Sequence, residues 1–306
     1  MISIVDVGCR YGVYDLFANT FEKFDYLGID TDENEILRLK QKYKSKKIRF
    51  FSEFLGADNN KVSFNVSQHK GYGTSKKMDA DSFWFGWVRK DETDIFEKLD
   101  VFSKKSSVFM SENVLNNSII KLDIEGGELD FLNGLEEKSF ETIESFIVEG
   151  HFNTPYESDS NLYSIGELLS DKGYWAVSVI VQGSRLNKYY EPKDSVPIDS
   201  NVIFIKNKYK PTNFFSESHQ LEIMCEVLYA LKLDGLLLHL LSTKNAAQLK
   251  KLRLFNDIKF MIGHKLNRLI KEPYIEKAEI ELLYSKLFDE QFPILSDFNE
   301  SIFFNP

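Results

Sequence analysis

The sequence predicts a mostly parallel α/β sheet with helices on both faces, followed by a smaller helical subdomain. Three observations predict it. Over the first 205 residues, short runs rich in Ile, Val, Phe and Tyr alternate with helical patterns, the order that builds parallel sheets. Several of those runs are apolar on consecutive residues, as strands covered on both faces are. Beyond Lys206 the strand signal stops, Pro211 marks a break, and the pattern becomes helical throughout.

Taken in order, strands are expected at Ile2–Val7, Tyr26–Asp30, Ile48–Leu55, Ile119–Asp123, Ser145–Glu149, Trp175–Val181 and Val202–Lys206. Helices are expected between them at Val13–Phe24, Glu33–Lys44, Glu128–Glu136 and Leu162–Lys172. Two stretches interrupt the alternation. Val62–Val66 alternates in period two and leads into Gly71-Tyr72-Gly73, which reads as a hairpin-like excursion. Lys77–Lys105 mixes polar residues with Phe83, Trp84, Phe85 and Trp87, the character of a flap or of a partner surface. In the last third, Leu221, Met224, Leu228 and Leu231 step by three and four. So do Leu252, Phe255, Ile258, Ile262, Leu266 and Leu269, and then Leu283 and Leu287, which predicts three or four amphipathic helices. The boundary falls near Tyr209, giving domains 1–209 and 210–306. An apolar face on the second needs a partner, either the sheet domain or a second copy of the chain.

Composition narrows the function. Thirty-eight basic residues against 47 acidic ones leave a net charge of −9 among 306 residues, the wrong sign for a nucleic-acid binder. Cys9 and Cys225 are the only cysteines, too few for a disulfide scaffold or a thiolate zinc site, and the expected location is the cytoplasm. No apolar run approaches the roughly 18 residues of a spanning helix, and the first residues lack the pattern of a signal peptide. The lysines at 40, 42, 44, 46 and 47 read as a solvated helix end.

The chemistry concentrates at strand ends. Ile4-Val5-Asp6-Val7-Gly8-Cys9-Arg10-Tyr11-Gly12 is a strand, a turn bracketed by glycines, and the start of a helix. Glycines let a ligand approach the backbone, and a helix start offers amides. It lacks Gly-x-Gly-x-x-Gly and Gly-Lys-Ser/Thr, so phosphate cradles fit poorly. Asp6 suits a cationic ligand group instead, such as an amino-acid ammonium. Asp30 ends the second strand, where a carboxylate can accept both hydroxyls of a ribose. An amine-recognising loop with a ribose-recognising acid describes S-adenosylmethionine (SAM). Asp6, Gly8, Cys9, Arg10, Gly12, Asp30, Thr31, Glu53 and Asp123 are the candidate cofactor contacts.

A second constellation follows Ile119–Leu122, where Asp123, Glu125 and Glu128 flank Gly126-Gly127. Carboxylates crowded at a strand end are costly unless they are solvated or bind something. Glu128 suits the first turn of a helix; Asp123 and Glu125 sit too near the strand for that. Phe146–Glu149 then delivers Glu149 and His151 to the same edge. His151 is the expected base, since an unperturbed imidazole titrates near pH 6.5. Asp123 and Glu125 would orient an acceptor, or join Glu149 in holding a divalent cation by oxygen ligands.

Together Val5–Gly12, Asp30 and Lys121–Glu128 resemble the FkbM family of SAM-dependent methyltransferases, whose pattern is Val-Asp-Val-Gly-Ala-Asn-x-Gly, a second-strand acid, and Lys-x-Asp-x-Glu-Gly-x-Glu. Leu55-Gly56-Ala57 and Phe146–Glu149 are similar to its third and fifth strand endings, and the likeness spans about Ile2–Lys206. Cys9 and Arg10 depart from the Ala-Asn of the pattern, and the helical tail is additional. The resemblance implies a Rossmann-like class I sheet of about seven strands, the last antiparallel. It also implies O-methylation of a small-molecule, glycan or polyketide-type hydroxyl, and leaves any metal requirement open.

Other readings compete. The chain could be a catalytically silent cofactor-binding scaffold whose helical tail mediates assembly, or a methyltransferase of protein or nucleic acid. Asn153-Thr154-Pro155-Tyr156 is similar to the Asn-Pro-Pro-Tyr of amino-group methyltransferases but lies after the wrong strand, and reads as a turn. With no Pro-Cys pair, attack by a cysteine on cytosine carbon is unsupported. His69, His219, His239 and His264 stand alone and read as structural or solvated.

Overall fold

The computed structural model describes residues 1–68, 70–79, 95–114, 117–152, 154–157, 160–184, 196–213, 220–244, 246–270 and 276–291. Phe83, Trp84, Phe85 and Trp87, together with His69, Asn153 and His219, lie outside the described residues. Two compact units emerge: one comprises 1–14 and 21–207, the other 15–20 and 208–306.

The first unit is built on a seven-stranded sheet. Its strands are β1 (Ser3–Val7), β2 (Asp25–Asp30), β3 (Ile48–Ser52), β7 (Ser118–Leu122), β8 (Ile143–His151), β9 (Tyr174–Ser184) and β10 (Val196–Lys206), in the order β3-β2-β1-β7-β8-β10-β9. Neighbours from β3 to β8 run parallel, while β10 is antiparallel to both β8 and β9. The expected sheet, with its last strand antiparallel, is the observed one. Every residue of β1 and β7 is buried, which is why these strands read as unbroken apolar runs. The strand order reverses direction at β1 and β7, and open α/β sheets open a ligand crevice at the carboxyl ends of strands at such a point.

A second sheet takes up the first interruption of the alternation and the end of the second. Strands β4 (Phe54–Gly56), β5 (Asn60–Ser67) and β6 (Ile95–Lys105) form it in the order β4-β6-β5. The single run expected at Ile48–Leu55 breaks at Glu53. There the amide of Glu53 donates to the Asp30 carbonyl at 3.1 Å, which ends the β2 ladder and releases Phe54 into the second sheet. Strand β6 occupies the end of the supposed flap. Its Ile95, Leu99 and Phe102 are exposed, so it carried no burial pattern to read.

Helices α1 (Glu33–Lys42), α2 (Ser106–Asn113), α3 (Glu128–Asn133), α4 (Glu137–Thr142) and α5 (Leu162–Asp171) complete this unit. Asp32 caps α1 by accepting from the amides of Asn34 and Glu35 at 3.0 and 3.2 Å. The core gathers Val5, Leu27, Phe109, Ile120, Phe131, Phe146, Ile165 and their neighbours. The helix expected at Val13–Phe24 does not form. Two short 3-10 turns, Asp15–Phe17 and Phe21–Lys23, stand there instead. Phe17, Phe21 and Phe24 imitate helical spacing, but the stretch divides between the two units.

The second unit contains α6 (Leu221–Ala230), α7 (Asp234–Ser242), α8 (Ala246–Leu249), α9 (Phe255–Leu269) and α10 (Lys277–Phe288). Leu221, Met224, Leu228, Leu231, Ile258, Ile262, Leu266 and Leu287 are all buried in the single chain. The expected helical stripes are therefore present on these helices. Glu226, buried on α6, accepts from Arg253 Nε at 2.6 Å. Among the described residues no helix is long and apolar enough to cross a membrane.

Candidate active site

A cleft of about 100 Å³ opens at the carboxyl ends of β1, β2 and β7. One wall carries Gly8, Arg10, Tyr11, Asp30, Thr31 and Glu53; the other carries Asp123, Ile124 and Gly127. Phe54, Leu55 and Phe64 of the second sheet add an apolar side.

The glycine loop is shaped by contact with β7. Gly8 has φ +89°, and a Cβ there would stand 1.8 Å from the Asp123 carbonyl oxygen, so only glycine lets the two strand ends meet. The amides of Gly8 and Cys9 donate to the Ile29 carbonyl at 2.9 and 3.1 Å. They are spent on β2, and the helix expected to present further amides is replaced by short 3-10 turns. Cys9 is buried, its thiol pKa pushed well up by burial and by Asp6 and Asp30. Neither Cys9 nor Gly12 lines the cleft.

Asp6 departs furthest from its expected place. It is buried below the cleft, accepts a hydrogen bond from the Tyr26 hydroxyl, and has Lys121 Nζ at 3.6 Å. An internal ammonium thus meets Asp6 where the sequence suggested a ligand's. Burial raises the Asp6 pKa, with Lys121 and Tyr26 opposing the shift. Lys121 also donates to Asp123 Oδ2 at 2.8 Å and lies over the Tyr14 ring at 5.2 Å. Burial alone would lower its pKa, but Asp123 and Asp6 more than reverse that, so the net shift is up and the ammonium stays charged.

Asp30 does reach the cleft wall. It accepts from the Asp32 amide at 2.8 Å and has Arg10 Nη1 at 3.5 Å, while Arg10 also bonds the Asp32 carboxylate. Burial raises its pKa, and the Asp32 amide and Arg10 partly offset the shift. Thr31 and Glu53 flank Asp30 on the same wall.

The acidic turn after β7 is drawn together by residues far off in sequence. Glu125 accepts from the Tyr156 hydroxyl at Oε2, 2.6 Å, and its carbonyl accepts from Thr74 Oγ1 at 2.6 Å. Burial and the neighbouring Asp123 push its carboxyl pKa well above the usual range, with Tyr156 opposing. Glu128 is buried and turns back to accept from the amides of Ile124 and Gly126, at 3.0 and 3.4 Å, and from Ser160 Oγ at 3.1 Å. It closes the turn, and burial raises it to about 7. His151, at the end of β8, lies edge-on to Tyr156 with ring centroids 5.8 Å apart. Burial lowers its pKa to about 4, so it does not titrate near 6.5 as expected of an exposed imidazole. Glu149 belongs to the same charge field, acting on Lys121 and Glu125. Among the described residues, no three His, Cys, Asp or Glu side chains gather as a metal site.

Sequence reasoning missed several of these partners. Lys121 was noted only within the motif, not as the partner of Asp6, and Tyr26 only within a strand. Thr74 carried no signal. Tyr156 stood inside the Thr154-Pro155-Tyr156 stretch read as a turn.

A family model described as the methyltransferase FkbM domain matches residues 6–175. No curated protein matches the chain in sequence. Among solved structures, a magnesium protoporphyrin IX methyltransferase from Synechocystis PCC 6803 with bound SAM is similar at 9% identity, over 67% of this chain and 70% of that one, with a TM-score of 0.33. A TehB-like SAM-dependent methyltransferase from Corynebacterium glutamicum gives 11% identity, 67% and 80% coverage, and 0.32. A protein from Listeria monocytogenes described as an S-adenosylmethionine-dependent methyltransferase gives 12% identity, 67% and 91% coverage, and 0.35.

Proposed function

The chain belongs to the FkbM methyltransferase family, and from that premise we propose that it is a SAM-dependent O-methyltransferase acting on a hydroxyl of a small molecule or glycan. The observation that carries the reading is the cleft itself, where Asp30 and Asp123 face one space from the ends of β2 and β7.

The residues present fit the cofactor. Asp30 is a largely buried carboxylate at the wall, suited to accept from ribose hydroxyls. Thr31, Glu53, Gly8 and Arg10 surround it, and Phe54, Leu55 and Phe64 offer apolar surface to a purine. When bound, SAM supplies an electrophilic methyl and its own leaving group. The chain must then place an acceptor oxygen and relieve it of a proton. Asp123, held by Lys121, orients the acceptor. Glu125, beside the cleft wall, takes the proton in its ionised form, which the Tyr156 hydroxyl favours by donating to it. His151, with a pKa near 4, binds a proton weakly and instead shapes the wall behind Tyr156. The net charge of −9 favours an acceptor other than nucleic acid.

The second reading, a silent scaffold that assembles through its helices, draws on Arg10, whose guanidinium already engages Asp30. A mass-shift screen decides between them. The protein is incubated with SAM and a panel of nucleotide sugars and lipid-linked glycans, with sinefungin as inhibitor. We expect a sinefungin-sensitive gain of one methyl on a hydroxyl. Glu125→Ala should lower turnover by at least about 10²-fold, and His151→Ala by less than tenfold. Cofactor binding with no modified acceptor, and self-association in sedimentation, would favour the scaffold. A 10²-fold loss in His151→Ala would return the base to that residue.

A further inference from the structure

Glu125 holds φ at +51°, a left-handed conformation that residues other than glycine seldom adopt. Such a residue persists only where its surroundings over-determine it. Here they do so at both ends. Its carbonyl accepts from the Thr74 hydroxyl and its carboxylate from the Tyr156 hydroxyl, each at 2.6 Å.

The two donors arrive on segments 82 positions apart, and those segments are joined to each other. The Asp79 amide donates to the Pro155 carbonyl at 2.9 Å, and the Glu157 amide to the Lys77 carbonyl at 2.8 Å. Lys77 Nζ donates to Glu157 Oε1 at 2.6 Å. Thr74 is itself fixed to β5, exchanging amide–carbonyl bonds with Asn65 at 2.8 and 3.0 Å. The Tyr156 ring covers Gly126 so closely that a Cβ there would stand 2.5 Å from it. An acid that only opened a helix would need none of this, and Glu128 already closes the turn that leads into α3.

We infer that Tyr156 and Thr74 are positioning residues that hold the Glu125 carboxylate at one place beside the cleft, an inference that rests on methyl transfer as the activity of that cleft. Ile124 and Gly127, which bracket Glu125 and Gly126, both line the cleft, so a shift of Glu125 is felt at its wall. The strap formed by 74–79 and 154–157 is the device that carries the constraint. The rival is simple packing, in which the ring over Gly126 matters and the hydroxyl does not.

Tyr156→Phe separates the two, since it keeps the ring and removes the hydroxyl. Thr74→Val, similar in shape, is the second variant and is read the same way. Three measurements are made on the full chain. Hydrogen exchange at Gly126 and Gly127 should quicken by about fivefold or more as the turn loosens. SAM affinity by calorimetry should stay within about threefold. Turnover on whichever nucleotide sugar the wild type methylates should fall at least about tenfold with KM for that sugar unchanged, the effect of losing one hydrogen bond to a charged group. Wild-type exchange and wild-type turnover in Tyr156→Phe would overturn the inference. If the wild-type chain binds no SAM, the functional reading fails, and the exchange measurement alone decides whether the strap holds Glu125.

Discussion

The two walls of the cleft are built by opposite methods. The wall on β1 and β2 is local: Gly8 and Arg10 come from one loop, Asp30, Thr31 and Asp32 from the next, and the ion pairs run between these neighbours. The wall beyond β7 is assembled from afar. Glu125 is held by Thr74 and Tyr156, and Glu128 by Ser160. On the first wall a cation, Arg10, meets the acids directly. On the second, the Lys121 ammonium meets Asp123 from below, while neutral hydroxyls meet Glu125 and Glu128, whose pKa values are raised by burial. Cofactor recognition needs fixed charge and a fixed backbone, which a contiguous loop can supply. Proton handling needs a carboxyl that can hold either state, which takes burial and therefore distant parts of the chain.

The largest expected effect breaks both walls at once. Gly8→Ala puts a Cβ against the Asp123 carbonyl at a positive φ, at the point where the two strand ends touch. We expect a loss of at least about 3 kcal/mol by urea unfolding, the range of backbone strain with a core clash. A stable, ligand-binding variant would show that the walls do not depend on that contact.

Next, Asp30→Ala should strike the first wall alone. Losing a charged hydrogen-bond partner costs roughly 1.5–3 kcal/mol, so SAM affinity in calorimetry should fall about tenfold or more. Equal affinity in the variant would mean that Asp30 serves only Arg10 and Asp32.

The smallest effect tests the second wall through pH. Glu128 has a folded pKa near 7 against an ordinary 4.5. A carboxyl raised on folding contributes stability that is fully present below about 4.5 and is lost as pH rises through 7. Glu128→Gln, which can keep the bonds to Ile124 and Ser160, should therefore gain on the wild type between pH 5 and 8 in thermal melts. Parallel curves across that window would place the Glu128 carboxyl in solvent.

The same division explains what could be read from the chain. Strands β1, β2, β7 and β8 were legible because burial on both faces leaves continuous apolar runs. Asp30 and Asp123 could be placed on the cleft wall in advance because open sheets form their crevice at strand ends. Asp6 was misplaced because a sequence shows an acid but not the buried Lys121 that meets it. Thr74 and Tyr156 were invisible as partners, since their bonds to Glu125 span 51 and 31 positions. The turn at Asp15–Phe17 was read as a helix because its aromatic spacing satisfies that period without the tertiary context that splits it.

That split has a consequence for synthesis. Asp15–Thr20 belongs to the same compact unit as residues from Lys208 onward, yet it leaves the ribosome 188 positions earlier. At about 5–20 residues per second, it waits on the order of 10–40 s before the rest of its unit begins to emerge. Through that interval the loop after β1 is tied to a body that does not yet exist. The nascent chain can pair β1 with β2 early, but this segment meets the rest of its unit only once residues from Lys208 onward emerge.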